Sequence, residues 1–252
     1  MRIAVISGAT SGMGRDFARV LAKEELDGLW LVGRREERLV ALAEELAPLS
    51  CRLFVYDLTE KEGFSQIKAA LLCEDITVSW LIAAAGCGSI GKFEEGEKER
   101  YAHEIDLNCR ALTLLISCCL PHMEKGGRIV TLASAAAYLP QPGFAVYAAT
   151  KAYVLHLSRA LARELRPRGI TVTAVCPGPV RTEFFTHAEA GGKKMPKGKE
   201  KYMQTSETVV CRAIRAAKKG RTVVTPSLPM KLARLGAKLL PHALLVRIFK
   251  TE

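Results

Sequence analysis

A doubly wound parallel α/β sheet, layered helix–sheet–helix within a single domain, is the fold class this sequence predicts. Three observations predict it. Short apolar runs alternate with longer helical patterns, a glycine-rich turn joins the first run to the first helix, and no repeat or low-complexity linker divides the array. The chain has 252 residues, 49% of them apolar, which suffices for one large buried core.

The runs Ile3–Ser7, Gly28–Val32, Arg52–Tyr56, Trp80–Ala84, Arg128–Ala133 and Thr171–Cys176 are short, β-branched or apolar, and read as buried strands. Helical patterns lie between them near 13–25, 35–47, 61–72, 99–124 and 148–166. After the sixth strand the pattern changes, and Gly191 to Lys199 is polar and glycine-containing. Residues 183–206 are therefore expected to form a mobile substrate lid. A helix near 206–218 and a short strand Thr222–Thr225 complete an expected catalytic body of residues 1–227, with 228–252 as a basic amphipathic helical segment.

Met1-Arg2 leads straight into the first strand without a charged leader and cleavage site, and no run of about 18 apolar residues occurs. A soluble, cytoplasmic protein is expected. The eight cysteines include no Cys-x-x-Cys pair and no His at ligand offsets, so neither a zinc site nor a disulfide framework is indicated; adjacent Cys118 and Cys119 read as core or interface packing.

Gly8-Ala9-Thr10-Ser11-Gly12-Met13-Gly14 follows the first strand and opens a helix. Glycines there let the backbone turn sharply and approach a pyrophosphate, whose charge meets free N–H groups and the helix dipole. This placement gives the sheet the character of a dinucleotide-binding Rossmann fold. Gly86-Cys87-Gly88-Ser89-Ile90-Gly91 matches a phosphate-binding pattern letter for letter. Charged residues separate it from the next apolar helix, so it reads as a turn near the cofactor.

The second strand ends in Gly33-Arg34-Arg35, where an NAD enzyme would place an acid for the ribose hydroxyls. Arg34 or Arg35 could instead bond a 2′-phosphate, which favours NADP(H); the competing reading has both capping the next helix. Asp57, with Leu58 beside it, follows the third strand and could accept from the adenine amino group, or cap a helix.

Tyr147-Ala148-Ala149-Thr150-Lys151 places a phenol and an ammonium on one helix face, and it is the only Tyr-x-x-x-Lys of the chain. Ser134 lies thirteen residues upstream at a strand's carboxyl end, where parallel sheets form their ligand crevice. A nearby Lys⁺ and the positive ring of an oxidised nicotinamide would lower the phenol pKa from about 10 toward a useful range. Proton exchange with a carbonyl or alcohol oxygen is the chemistry such a group can do.

Together these motifs resemble the short-chain dehydrogenase/reductase family over roughly residues 3–182. The resemblance implies that Gly8, Thr10, Ser11, Gly12, Met13 and Gly14 form the cofactor turn. Arg34, Arg35, Asp57, Leu58, Ala84 and Gly86 would line the adenosine and ribose side. Asn108, Ser134, Tyr147 and Lys151 would form the catalytic tetrad, with Ser134 holding the substrate oxygen, Lys151 also binding the ribose and Asn108 supporting a water relay. Pro177, Gly178, Val180 and Thr182 would meet the nicotinamide. The family's Asn-Asn-Ala-Gly is Ala83-Ala84-Ala85-Gly86 here, which removes the amides that tie the fourth strand to its neighbour.

Residues 191–252 carry 15 Lys and Arg against three Asp and Glu, whereas the rest of the chain carries 22 against 23. Only Tyr202 and Phe249 supply aromatics after Phe185, which argues against nucleic acid. Leu228, Leu232, Leu235 and Leu239 form one helical stripe and Lys231, Arg234 and Lys238 another, with Pro241 opening a second short segment from Ala243 to Lys250. Peripheral contact with an anionic lipid surface is expected, against cover for the pocket or a subunit interface. A homodimer or homotetramer is expected. Phe184, Phe185 and Met195 beside lysines suggest a small-molecule carbonyl or alcohol, namely a lipophilic ketone such as an acyl chain or sterol bearing an anionic group. The alternative is a non-catalytic NADP-binding regulator.

Overall fold

The computed structural model describes residues 1–73, 75–188, 203–241 and 245–246. In chain order its elements are β1 (Arg2–Ser7), α1 (Gly12–Leu21), β2 (Gly28–Gly33), α2 (Glu36–Glu45), β3 (Ser50–Val55), α3 (Lys61–Cys73) and β4 (Thr77–Ala83). There follow α4 (Lys98–Ile105), α5 (Leu112–Cys119), β5 (Arg128–Leu132), α6 (Ala145–Glu164) and β6 (Thr171–Val175). The chain then forms β7 (Val180–Arg181), α7 (Phe184–Ala188), β8 (Gln204–Thr205), α8 (Ser206–Lys218), β9 (Val223–Val224) and α9 (Leu228–Leu239).

Seven parallel strands form one sheet in the order β3-β2-β1-β4-β5-β6-β9. The alternation of side chains along each strand decides what covers each face. Ile3, Val5, Trp30, Val32, Leu81 and Ile129 point toward α3, α5 and α6. Ala4, Ile6, Leu29, Leu31, Ile82 and Val130 point toward α1, α2 and α8. The expected three-layer, single-domain sheet is what forms. Strand order reverses between β1 and β4, and at such a switch point the carboxyl ends of the strands part to leave a crevice.

Three local features differ from the sequence expectation. The helix expected over 99–124 divides into α4, a π turn over Asp106–Ala111, α5 and a short 3₁₀ turn in which Pro121 ends the regular bonding. α6 begins at Ala145, after Gly143 at φ +73°, which brings Tyr147 into its first turn. Val180–Arg181 pairs with Gln204–Thr205 as a separate two-stranded ribbon across the root of the expected 183–206 lid. Residues 189–202 of that lid, with Met195, lie outside the described residues, as does most of the Ala243–Lys250 segment.

Candidate active site

The crevice is a cleft of about 1280 Å³, lined from the glycine turn at one end to Phe184 and Met230 at the other. That volume can take a dinucleotide together with a substrate.

At one end the backbone is shaped for a phosphate. Gly8 and Gly12 have φ of +69° and +51°. A Cβ on Gly8 would lie 2.8 Å from the Ala85 nitrogen, and one on Gly14 would lie 2.2 Å from the Gly8 carbonyl oxygen. Ser11, at the N-cap of α1, makes no side-chain cap bond, which leaves the first-turn N–H groups open to the cleft. Thr10 and Met13 line the same wall. Backbone cradle and helix end together fit a pyrophosphate.

The sequence lacks an acid at position 33 for a steric reason: a Cβ on Gly33 would stand 2.6 Å from the Thr10 methyl group. The neighbouring arginines are engaged with carboxylates and do not serve as side-chain helix caps. Arg34 donates to Asp57 at 3.0 Å, whereas Arg35 donates to Thr10 at 3.1 Å and to Glu183 at 2.9 Å. Arg38 also donates to Glu183. Asp57 accepts from the Thr59 N–H and hydroxyl as well, so its carboxylate already has three donors. Burial acts to raise the Asp57 pKa, but Thr59 and Arg34 outweigh it and leave it lowered. Leu58 is buried against this end of the cleft.

The missing amides of Ala83-Ala84-Ala85-Gly86 are replaced from an unexpected source. Ser7 of β1 accepts from the Ala84 and Ala85 N–H groups at 3.1 and 3.2 Å and donates to the Ile82 carbonyl at 3.4 Å. The neighbouring strand is therefore tied down after all. A Cβ on Gly86 would meet Asn108 Oδ1 at 2.9 Å and Lys151 Nζ at 3.1 Å. The turn 86–91 thus runs directly over the tetrad and is no second phosphate cradle.

All four tetrad residues converge. Asn108, held in the π turn and 1% exposed, donates to the Cys87 carbonyl and to Thr150 Oγ1, while its Oδ1 accepts from the Cys87 N–H. It pins the turn after β4 to α6. Lys151 is buried, donates to the Leu132 carbonyl at 2.9 Å and sits 5.5 Å from the Tyr147 ring centre. Ser134 caps the 3₁₀ turn Ala135–Tyr138, its hydroxyl accepting from Ala136.

Tyr147 stacks on Phe144 at 4.2 Å between ring centres, with Phe184 tilted against it at 5.3 Å. Burial pushes the phenol pKa up, and the proximity of the Ser134 hydroxyl is what opposes this. The lowering expected from Lys151 does not appear, because burial also drives that ammonium down to about 8. The site therefore holds a neutral phenol beside an amine that loses its proton easily.

Pro177, Gly178, Val180 and Thr182 form the opposite wall. Thr182 lies over the glycine turn, its methyl 3.1 Å from where a Gly12 Cβ would be. Phe185 lines the substrate end as expected. That end is closed by α9, which supplies Pro229, Met230 and Ala233. Sequence reasoning missed Ser7, Thr150 and Phe144, whereas cover of the pocket by the 228–250 segment was one of its readings, and Pro229, Met230 and Ala233 of α9 line the cleft.

A nucleotide turn at a sheet's switch point, with Ser134, Tyr147 and Lys151 beside it, is the arrangement of a nicotinamide-dependent oxidoreductase fold. The short chain dehydrogenase model matches residues 2–192, and the chain belongs to that family. It is similar over 100% of its length to a short-chain dehydrogenase from Sphingobium yanoikuyae in complex with NADPH, at TM-score 0.80 and 29% identity, covering 98% of that chain. It is 35% identical over 198 residues to sulfoacetaldehyde reductase 2 of Chromohalobacter salexigens, covering 75% of this chain and 77% of that one. It is also 32% identical over 189 residues to the human inactive hydroxysteroid dehydrogenase-like protein 1, covering 73% and 57%.

Proposed function

We propose that the chain is an NADP(H)-dependent reductase of a lipophilic ketone, with Tyr147 as general acid. The observation that carries this reading is the neutral, buried Tyr147 between Ser134 and Lys151 and against the rings of Phe144 and Phe184. The nicotinamide cofactor supplies the hydride to the carbonyl carbon. The residues do the rest. Ser134 orients the carbonyl oxygen, Tyr147 donates its proton to that oxygen, and Lys151 would hold a ribose hydroxyl. Asn108 keeps the turn after β4 in place. The glycine turn with Thr10, Ser11 and Met13 would hold the pyrophosphate, Arg34 and Arg35 the 2′-phosphate, Asp57, Leu58, Ala84 and Gly86 the adenosine and ribose, and the 177–182 segment the nicotinamide. The aromatic rings with Met230 favour an apolar substrate body. A catalytic reading is preferred over a non-catalytic regulator because Ser134, Tyr147 and Lys151 line one cleft, with Asn108 buried behind them and holding the turn after β4.

For Arg34 to bind a 2′-phosphate it must exchange Asp57 for the ligand, a charge-assisted bond worth about 1.5–3 kcal/mol. Purified protein should therefore oxidise NADPH with a ketone panel about ten- to a hundredfold more efficiently than NADH. Arg34→Ala should erode that preference through NADPH affinity alone. Equal specificity constants for the two cofactors would remove the NADP assignment.

A second reading concerns where the protein works. α9 packs through Met230, Arg234 and Ala237, leaving Leu228, Leu232, Leu235 and Leu239 exposed by 69, 61, 53 and 70%. Arg234 turns inward over the Tyr138 ring, so the outward basic stripe is Lys231 and Lys238. A leucine ridge flanked by lysines fits peripheral attachment to an anionic lipid surface, with the substrate cleft on the helix's other face. Among the described residues no helix is long and apolar enough to cross a membrane. The cytoplasmic side of such a membrane is the location that fits. Ile105, Leu114 and Tyr153 form a separate exposed apolar area on α4, α5 and α6, which we assign to contact with a second copy.

A further inference from the structure

We propose that Glu104 is a proton store behind Lys151, a buried carboxyl group that returns to Lys151 the proton passed on through Tyr147 to the substrate. The proposal rests on the catalytic reading of Tyr147 and Lys151. Glu104 acts through Lys151 and does not touch the reacting atoms.

Glu104 lies on α4, four residues before Asn108 and two before the π turn, and it is fully buried. Neither of its oxygens meets a donor in hydrogen-bonding geometry. Buried polar groups are almost always paired, and a buried carboxyl left without partners is a departure that structure alone does not reward.

Its neighbours are those of the catalytic site. The charged and titratable groups around it are Lys151 and Tyr147 of α6, Cys87 after β4, Cys109 of the π turn and Arg100 on its own helix. The hydroxyl and N–H of Ser89 approach it too loosely for regular bonds, and with Lys151 and Arg100 they only partly offset burial. Burial raises Glu104 to about 7 and lowers Lys151 to about 8. An acid and an amine this closely matched can exchange a proton in either direction against a small free-energy difference. Asn108 cannot take this part, because its side chain is committed to Cys87 and Thr150.

The transfers balance. In carbonyl reduction the O–H bond of Tyr147 breaks as the substrate oxygen gains a proton. Across bridging waters, since neither pair is in direct hydrogen-bonding contact, an N–H proton of Lys151 restores the phenol, the O–H proton of Glu104 restores the ammonium, and solvent reprotonates Glu104. Alcohol oxidation runs each transfer backwards and leaves the proton in solvent.

The test uses the full chain, with Glu104→Gln, Glu104→Asp and Tyr147→Phe, and a ketone that the wild type reduces. Infrared difference spectra of the cofactor-free protein should show a carboxylic acid band that titrates near neutrality, shifts in Glu104→Asp and is missing in Glu104→Gln. Reduction by the wild type and by Glu104→Asp should fall as pH rises through neutrality. Glu104→Gln should bind NADPH normally, lose that limb of the profile and turn over roughly tenfold more slowly at mildly acid pH, a smaller loss than for a directly acting acid. Absence of the band from the wild type, or a Glu104→Gln enzyme with unchanged rate and pH profile, overturns the proposal. If Glu104→Gln does not fold, the wild-type band and its shift in Glu104→Asp decide. A Tyr147→Phe enzyme of normal rate would refute the catalytic reading and Glu104 with it, whereas an impaired one beside an unaltered Glu104→Gln refutes Glu104 alone.

Discussion

The hydroxyl of Ser7 holds three backbone groups of the neighbouring strand, and the cofactor end of the cleft depends on that hold. Ser7→Ala leaves the Ala84 and Ala85 N–H groups without this acceptor, at a cost of about 1–3 kcal/mol. Thermal unfolding should show that loss, and NADPH affinity should fall with it because Gly8 packs directly on Ala85. An unchanged melting temperature would mean that the strand ends need no tie. Glu104 gives stability its own pH dependence. Its folded pKa is raised from 4.5 to about 7, so its contribution is complete below 4.5 and is lost as pH rises through about 7. Glu104→Gln should flatten this fall, by on the order of 3 kcal/mol between the two limits. Parallel wild-type and mutant stability curves across that window would contradict it. The closeness of Tyr147, Lys151 and Ser134 was legible in the sequence because a helix spacing and a strand end fix their positions, whereas Asn108 came only from the family resemblance. Ser7 and Glu104 were not legible, since each acquires its meaning only from residues brought near by the sheet and by α6.

The central strands β1, β2, β4, β5 and β6 were the most legible elements, for each is a short apolar run largely buried on both faces, whereas β3 and β9 at the sheet edges are only partly buried. The glycine turn was legible too, because only glycine admits both the positive φ and the close backbone approach. The π turn left no pattern in the sequence; one extra residue per turn hardly alters an apolar periodicity. α9 was expected as a leucine stripe and a basic stripe, but Arg234 of the basic stripe turns in over Tyr138, and which residues met the body could not be known without the partner surface. Met230 and Ala237 meet it, and the leucines face out. Membrane attachment through that ridge would draw up to about 1.5–3 kcal/mol from each leucine and about 1 from each of Lys231 and Lys238. Leu232→Glu with Leu235→Glu should release the protein from anionic vesicles in sedimentation while leaving turnover of a water-soluble ketone intact. Binding of the wild type should weaken in high salt. If vesicles never bind and the double variant instead dissociates an oligomer, the ridge is a subunit contact.

At the scale of the molecule, the cleft divides the labour of the fold. β1, α1 and β2 bring to it the backbone and cations that we assign to a phosphate, while β5, α6 and the turn after β4 bring the groups that we assign to proton transfer. α7 and α9 add an apolar wall that the family motifs do not specify. All of the basic excess falls after residue 190 in the sequence, beyond the Tyr147-x-x-x-Lys151 motif, and we assign it to where the protein sits more than to what it converts. The claim on which the account turns is that Tyr147 is the proton donor. Its most direct test is the turnover of Tyr147→Phe with NADPH and an accepted ketone, measured beside NADPH affinity and melting temperature. The account predicts a rate lower by roughly 10²–10⁴ with affinity and stability close to wild type, since only a hydroxyl is removed. A variant that binds NADPH and reduces the ketone at the wild-type rate would contradict it.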